Sequence, residues 1–291
     1  MTIRHLKVFV SVCENGSITK TAEQMCTAQP AISQTIADME KYYGIILFNR
    51  INQRLKLTED GKILYLKAKE VINGFEDFEN SASSVADSPK LNIGVSLTFG
   101  KNFLPKLMKM VKEKYPQVKL FTYINNSKEI QEEILEGRLD FAVIEGKPTY
   151  PNIKAEDFKS DKLMVVCGYD YDYPDFVTIN ELSKATLLLR EKGSTSRDYL
   201  ENILRLHDLS CFPSMESISN QAIISAVTQN LGVAVLPEEL VKSYISRKKL
   251  KEIKLKDFDL IRNSYVISHK NKTFGKVVKS IYDTVLKGFE F

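Results

Sequence analysis

The stretch SITKTAEQMCTAQPAISQTIADMEKYYGIILFNR, residues 17–50, decides the N-terminal fold. Ser17 stands where it caps a helix whose apolar face is Ile18, Ala22 and Met25. A break at residues 26–28 follows, and Gln29-Pro30-Ala31-Ile32 opens a second helix, where proline is tolerated because a first-turn N–H has no intrahelical partner. Ile32, Ile36 and Met39 recur at the helical period and face the first helix, and Gly44 ends the run. The opposite face carries Gln29, Ser33 and Gln34, with Gln29 and Ser33 stacked one turn apart. Two short helices joined by a tight turn place the N-terminal residues of the second in the major groove. A glutamine there bonds an adenine edge in bidentate fashion. Taken alone, the spacing fits a small helical hairpin with a polar outer face equally well.

The flanking residues separate the two readings. Leu6, Phe9, Val10 and Cys13 give a preceding helix an apolar face, and residues 50–56 supply Arg50, Arg54 and Lys56 in a short polar segment suited to a two-stranded wing. Residues 2–72 resemble the winged helix of LysR-type transcriptional regulators through Phe9, Gly16-Ser17, Ala22, Gln29-Pro30, Ser33, Ile36, Glu40, Gly44, Leu47-Phe48, Arg50, Leu57-Thr58 and Gly61. The resemblance implies base contacts from Gln29, Pro30, Ser33 and Gln34, a minor-groove contact from Arg54, and further DNA contacts from Thr19, Thr21 and Arg50. Two positions depart from the family. Ala28 stands where a capping serine is usual, so Thr27 takes its place or the cap weakens by about 1 kcal/mol. Gln34 stands where arginine is frequent, which leaves base preference open there.

The chain of 291 residues has room for two or three domains, and its 43% apolar content suits a globular core. No apolar run reaches membrane-spanning length and the N-terminus lacks a signal peptide, so a cytoplasmic location is expected. The net charge of +4 is small, but its placement is informative. Residues 1–69 hold 10 Lys/Arg against 6 Asp/Glu, whereas residues 70–88 hold five acids and no base. Phosphate contacts in the basic part would make binding steeply salt-dependent. Cys13, Cys26, Cys167 and Cys211 form no CxxC pair and read as reduced thiols, and the three histidines have no metal-ligand spacing. A redox-sensing regulator of the same architecture would use Cys211, which has no partner cysteine nearby.

Thr58-Glu59-Asp60 starts a helix over residues 58–86. Leu64, Ala68, Val71, Phe75, Phe78, Ala82 and Val85 follow at alternating spacings of four and three, the a/d seam of a coiled coil. Such a seam makes dimers, which set the distance between two DNA-reading heads. Ser81, Ser83, Ser84 and Asp87-Ser88-Pro89 then mark a linker.

From Lys90 the pattern changes to alternating strands and helices. LNIGV, VKLFTYI and DFAVIEG read as strands, with helices over 103–115 and 127–136. KLMVVCG, ATLLL, residues around Met215 and VAVLP continue as strands, with helices over 196–207 and 220–229. This implies a mostly parallel α/β sheet in two units around a cleft, with a final helix over 273–289 packed on the first. The expected domains are a winged helix-turn-helix over 1–57, a linker helix and hinge over 58–89, and an α/β domain over 90–291. In the last, subdomain I comprises 90–161 and 268–291, and subdomain II 162–267.

Ligands of open α/β sheets bind beyond the carboxyl ends of strands, where helix N-termini attract anions. Ser96, Thr98, Asn126, Ser127, Ser194, Thr195, Ser196 and Ser219 lie at such ends and form the candidate effector site; each also has the option of merely capping its own helix. This half resembles the family's effector domain, shaped like a periplasmic solute-binding protein with two Rossmann-like subdomains. LTFGKNFLPKL, NNSKEI, LDFAVIEG and REKGSTSR bring it near a branch containing regulators of carbon fixation and of sulfur assimilation. That implies an oxyanion or a phosphorylated or carboxylated metabolite as co-inducer, with no other cofactor. Arg197 is the cation beside the cluster or else faces solvent, and Thr195 narrows a pocket where glycine is more usual.

No nucleophile triad, metal set, P-loop or dinucleotide motif is present, and Glu145 and Asp140 belong to no catalytic pattern, so an enzyme is not expected. A small-molecule-binding protein without a DNA-linked response would leave residues 1–89 without a use. The expected partners are double-stranded promoter DNA, a small effector, further copies of the chain as dimer and tetramer, and RNA polymerase at the promoter.

Overall fold

The computed structural model describes residues 1–51, 54–85, 89–256 and 259–288. The chain divides into two compact units, residues 1–86 and 87–291.

The first unit begins with α1 (Ile3–Asn15), α2 (Ile18–Gln24) and α3 (Gln29–Tyr43). A hairpin of β1 (Phe48–Ile51) and β2 (Arg54–Leu57) follows, and then the long helix α4 (Glu59–Val85). Gly16 (φ 59°) and Gly44 (φ 68°) stop α1 and α3 in the left-handed conformation that glycine adopts at least cost. Cys26 takes the same conformation (φ 48°) in the turn between α2 and α3. Phe9, Val12, Ile32, Met39 and Leu47 close a single core among the helices. Glu40 pins the start of the wing, its Oε1 accepting from the backbone N–H groups of Leu47 (2.7 Å) and Phe48 (3.3 Å). Thr58 then turns the chain, donating to Ile46 O (2.7 Å) and accepting from Gly61 N (2.9 Å). A side chain on Gly61 would meet Leu47 O at 2.4 Å, so only glycine allows this approach.

The seam of α4 is not one surface. Ala68 is buried and Leu64 half-buried in the core of its own head, where α4 packs on α1. Lys69 pairs with Glu14 at 3.6 Å and Lys7 with Glu76 at 3.3 Å. The expectation that Leu64 and Ala68 join two copies is corrected: both side chains pack into the core that α1, α2 and α3 form in their own head. Beyond that point Val71 (50%), Phe75 (36%) and Phe78 (68%) are exposed. The side chains of Ala82 and Val85 lie outside the described residues.

The second unit opens with β3 (Lys90–Ser96), α5 (Leu97–Lys114), β4 (Lys119–Asn125), α6 (Ser127–Leu135) and β5 (Phe141–Glu145). It continues through β6 (Ile153–Gly168), β7 (Phe176–Val177), α7 (Ile179–Ser183), β8 (Leu188–Arg190), α8 (Thr195–Leu206) and β9 (Met215–Ser217). It ends with α9 (Asn220–Thr228), β10 (Val233–Pro237), α10 (Glu238–Ser246), β11 (Leu250–Leu255), β12 (Leu260–His269) and α11 (Lys276–Leu286). The main sheet runs β4-β3-β5-β12-β6-β11-β7, with β10 also paired to β6, and β8-β9 form a small parallel pair.

The expected mostly parallel sheet holds for β3, β4 and β5 but not at the centre, where β12, β10 and β11 all run antiparallel to β6. Strand β6 has 16 residues and β12 has 10, and together they pass from one half of the unit to the other. Residues 260–263 of β12 pair with β6 alone, whereas Ser264–Ile267 lie between β6 and β5. The chain therefore re-enters the first half at 264 rather than 268, at an irregularity between Ser264 and Tyr265. Separate cores form on each side: Leu107, Phe141, Ile281 and Tyr282 in the first half, Leu182, Leu187, Leu200 and Val233 in the second. The last helix, α11, packs into the first of these.

Candidate functional site

In the first unit α3 presents its N-terminal residues outward. Gln29, Pro30 and Gln34 are exposed and Ser33 is half-buried. Gln29 Nε2 donates to Ser33 Oγ (3.0 Å) and Gln34 Nε2 to Asp38 Oδ1 (2.8 Å), so both amides are held along the helix face with their remaining groups free to reach a base edge. Ala28 occupies the cap position and supplies no side-chain cap, and Thr27 does not replace it. Thr19 is exposed on α2. Thr21 is corrected. It is fully buried, donates to Ser11 O (3.2 Å) and Ser17 O (2.9 Å), and accepts from Asn15 Nδ2 (3.2 Å). It braces α2 on α1, and a hydroxyl so enclosed cannot reach DNA. The backbones of Arg50 and Arg54 lie in β1 and β2, flanking the tip of the wing; their side chains lie outside the described residues.

In the second unit the sequence-selected hydroxyls divide. Asn126 caps α6 through Glu129 N (3.0 Å) and Ser219 caps α9 through Ala222 N (3.2 Å), so each serves its own helix, and Ser219 is exposed. Ser96 and Ser194 stand at the cap positions of α5 and α8 without making a side-chain cap. Thr98 sits within the first turn of α5 and lines a surface hollow with Asn102, Lys159 and Glu239, outside the buried cluster.

That cluster gathers where β3, β5 and β12 meet α8. Thr195 Oγ1 donates to Glu145 O (2.8 Å), Ser127 Oγ to Glu145 Oε2 (3.3 Å), and Lys128 N to Gly193 O (3.4 Å). A side chain on Gly146 would strike Thr195 Cγ2 at 2.6 Å, so the loop after β5 and the start of α8 are in direct contact. Arg262 reaches in from β12. Its Nε and Nη2 form a bidentate pair with Asp161 (2.8 and 2.7 Å), its Nη1 donates to Ser196 Oγ (3.0 Å), and its Nη2 lies 3.5 Å from Glu145 Oε1. Burial opposes the Arg262 charge, but the Glu145 and Asp161 carboxylates outweigh it and raise the pKa above the ordinary guanidinium value.

Sequence reasoning left Glu145 without a role and missed Arg262, Asp161 and Ser264. The available signal was Arg262 and Ser264 at alternate positions of LIRNSYVISH, polar residues on the face that carries Leu260 and Val266 into the core. Arg197, the cation read from sequence, is buried and committed: it pairs with Glu201 (2.6 Å) and Glu216 and donates to Arg190 O (3.0 Å). Cys211 is half-buried, and burial pushes its thiol pKa up, against the thiolate that peroxide chemistry needs. Among the described residues no group of His, Cys, Asp and Glu could hold a metal ion, and no helix is long and apolar enough to cross a membrane.

Two family models match. Residues 3–62 match the bacterial regulatory helix-turn-helix protein of the lysR family, and residues 86–290 the LysR substrate binding domain. The chain is 31% identical over 297 residues to the HTH-type transcriptional regulator YwqM of Bacillus subtilis, with 100% of both chains covered. It is 28% identical to the HTH-type transcriptional regulator CysL of the same organism, covering 97% of this chain and 95% of that one. A full-length OxyR from Pseudomonas aeruginosa shares the fold, with a TM-score of 0.69 at 20% identity over 98% of this chain and 94% of that one.

Proposed function

The chain belongs to the LysR family of DNA-binding transcriptional regulators with an effector-binding domain, and on that premise we propose that a small anion is its effector and binds at the Ser96–Glu145–Arg262 cluster. The observation that carries this is Arg262 held on Ser196 at the uncapped start of α8, beside Glu145 at the end of β5. Helix N-termini and a guanidinium supply the donors that an anion needs. Thr195 and Lys128 already join the two halves of the domain here, so a ligand that strengthens or breaks those contacts shifts the equilibrium between closed and open forms.

DNA recognition falls to Gln29, Pro30, Ser33 and Gln34 on the exposed start of α3, with Thr19, Arg50 and Arg54 beside them. Dimerisation falls to Val71, Phe75 and Phe78, the exposed far part of α4, and the dimers pair into a tetramer on promoter DNA, where RNA polymerase is the partner acted on. The protein is a cytoplasmic regulator rather than an enzyme.

The deciding experiment measures promoter-fragment affinity and melting temperature of the full-length chain with and without a panel of small anions. The reading requires at least one anion to raise the melting temperature and to change DNA affinity or bend. Stabilisation by neutral compounds alone would refute the anionic effector.

A further inference from the structure

Among the described residues, Ser96 Oγ, Glu145 Oε1 and Ser264 Oγ are buried polar atoms of the effector domain that make no hydrogen bond to the protein, and they belong to the adjacent strands β3, β5 and β12. Their residues are 2%, 3% and 1% exposed. Ser264 is the direct cross-strand partner of Glu145. Ser96 follows Val95, which pairs with Val143, so it stands on the neighbouring strand at nearly the same level. Buried polar atoms without partners are costly and rare unless function retains them.

The three atoms are not chemically alike. A serine hydroxyl donates or accepts, but an ionised carboxylate only accepts. Arg262 Nη2, at 3.5 Å, is beyond good hydrogen-bond distance from Glu145 Oε1, and its better contacts go to Asp161 and Ser196. A bare anion placed among Ser96, Ser264 and the start of α5 would satisfy the hydroxyls while facing the Glu145 carboxylate without a proton between them.

Resting on the effector-site reading above, we propose that Glu145 is the specificity-determining residue, and that the effector is a small anion carrying a hydrogen-bond donor on or beside its charged group. Protonated oxyanions and hydroxy acids share this chemistry. Ser96 and Ser264 donate to the anionic oxygens, and the ligand's own O–H donates to Glu145 Oε1. A fully deprotonated oxyanion leaves two acceptors in contact and is rejected.

The test uses the full-length chain and two matched pairs of probes at constant ionic strength and neutral pH. Inorganic phosphate, which retains a P–OH, is set against sulfate, which does not, and glycolate against acetate. Calorimetric titration and thermal shift are recorded for wild type and Glu145→Gln, whose amide donates to a bare oxyanion while Arg262 keeps Asp161. In wild type the donor-bearing member of at least one pair binds at least about a hundredfold tighter than its match, as expected of a site built to bond a ligand hydroxyl. In Glu145→Gln that preference collapses or reverses. The pair that discriminates tells a protonated oxyanion from a hydroxy acid. Equal binding of sulfate and phosphate together with equal binding of acetate and glycolate overturns the role of Glu145 while the effector site stands. A preference that survives in Glu145→Gln does the same. Absence of binding by all four probes overturns both. The wild-type comparison decides alone if the variant does not fold.

Discussion

Arg262 Nη2 sits 2.7 Å from Asp161 Oδ2, joining β12 to β6 where those two strands pass from one half of the effector domain to the other. The guanidinium is almost fully enclosed, and removing one partner of a buried pair leaves the other charge uncompensated. Arg262→Ala should lose about 3–5 kcal/mol in denaturant unfolding of the effector domain. A loss below 1 kcal/mol would show that water reaches Asp161 and Glu145 once the arginine is gone.

Gln29→Ala should weaken specific operator binding by about 1–3 kcal/mol and leave non-specific binding nearly intact. Titrations on operator and scrambled DNA at one salt concentration check it. Equal losses on both would move Gln29 from base readout to simple positioning.

Thr21→Val should behave in the opposite way. The hydroxyl bonds Ser11 O and Ser17 O and receives Asn15, so its loss should cost about 1–3 kcal/mol of stability in the head. Operator affinity per folded molecule should not change. A selective loss of operator affinity at unchanged stability would restore Thr21 as a DNA contact.

The two parts of the α4 seam should separate in sedimentation and melting. Phe78→Asp, on the exposed part, should lower the assembly mass with little effect on the melting of the head. Ala68→Asp puts a carboxylate into the core of the head and should lower its melting temperature directly. If Phe78→Asp leaves the mass unchanged, that face does not hold the copies together.

Burial pushes the thiols of Cys13 and Cys167 up to about 12 and about 11. Both stay protonated at pH 8, so alkylation of the folded chain should label exposed Cys26 first, as peptide mass mapping would show. The sign for stability follows from the same shifts. Above pH 9 the unfolded thiols lose protons that the folded ones keep, so these groups subtract stability as pH rises from 9 toward 12. Equal labelling of all cysteines at pH 8 would contradict the burial.

The head was legible because its signals are local. Gly16, Gly44, Pro30 and the Ile32–Ile36–Met39 stripe lie within a few turns of one another, and each has a single geometric reading. The seam of α4 was legible as a pattern but not in its use. A 4–3 spacing says that one face is apolar without saying what covers it, and Leu64 and Ala68 meet α1, some 55 residues earlier in the chain. The helix-start hydroxyls were found for a similar reason, since Ser127, Thr195 and Ser196 each follow a strand signal. Glu145, Asp161, Arg262 and Ser264 were not found. They meet only through strand register, across separations of about a hundred residues, and the pairing of β12 with both β5 and β6 is a long-range outcome that no short pattern encodes.

Stitching α4 to α1 through Leu64, Ala68 and the Lys69–Glu14 and Lys7–Glu76 pairs removes any swivel between the stem and the base-reading helix. Phe75 and Phe78 therefore stand on the same helix whose first half closes the core behind α3. In the proposed reading, a signal reaching the far end of the stem acts on the start of α3 by turning the head rather than by loosening it.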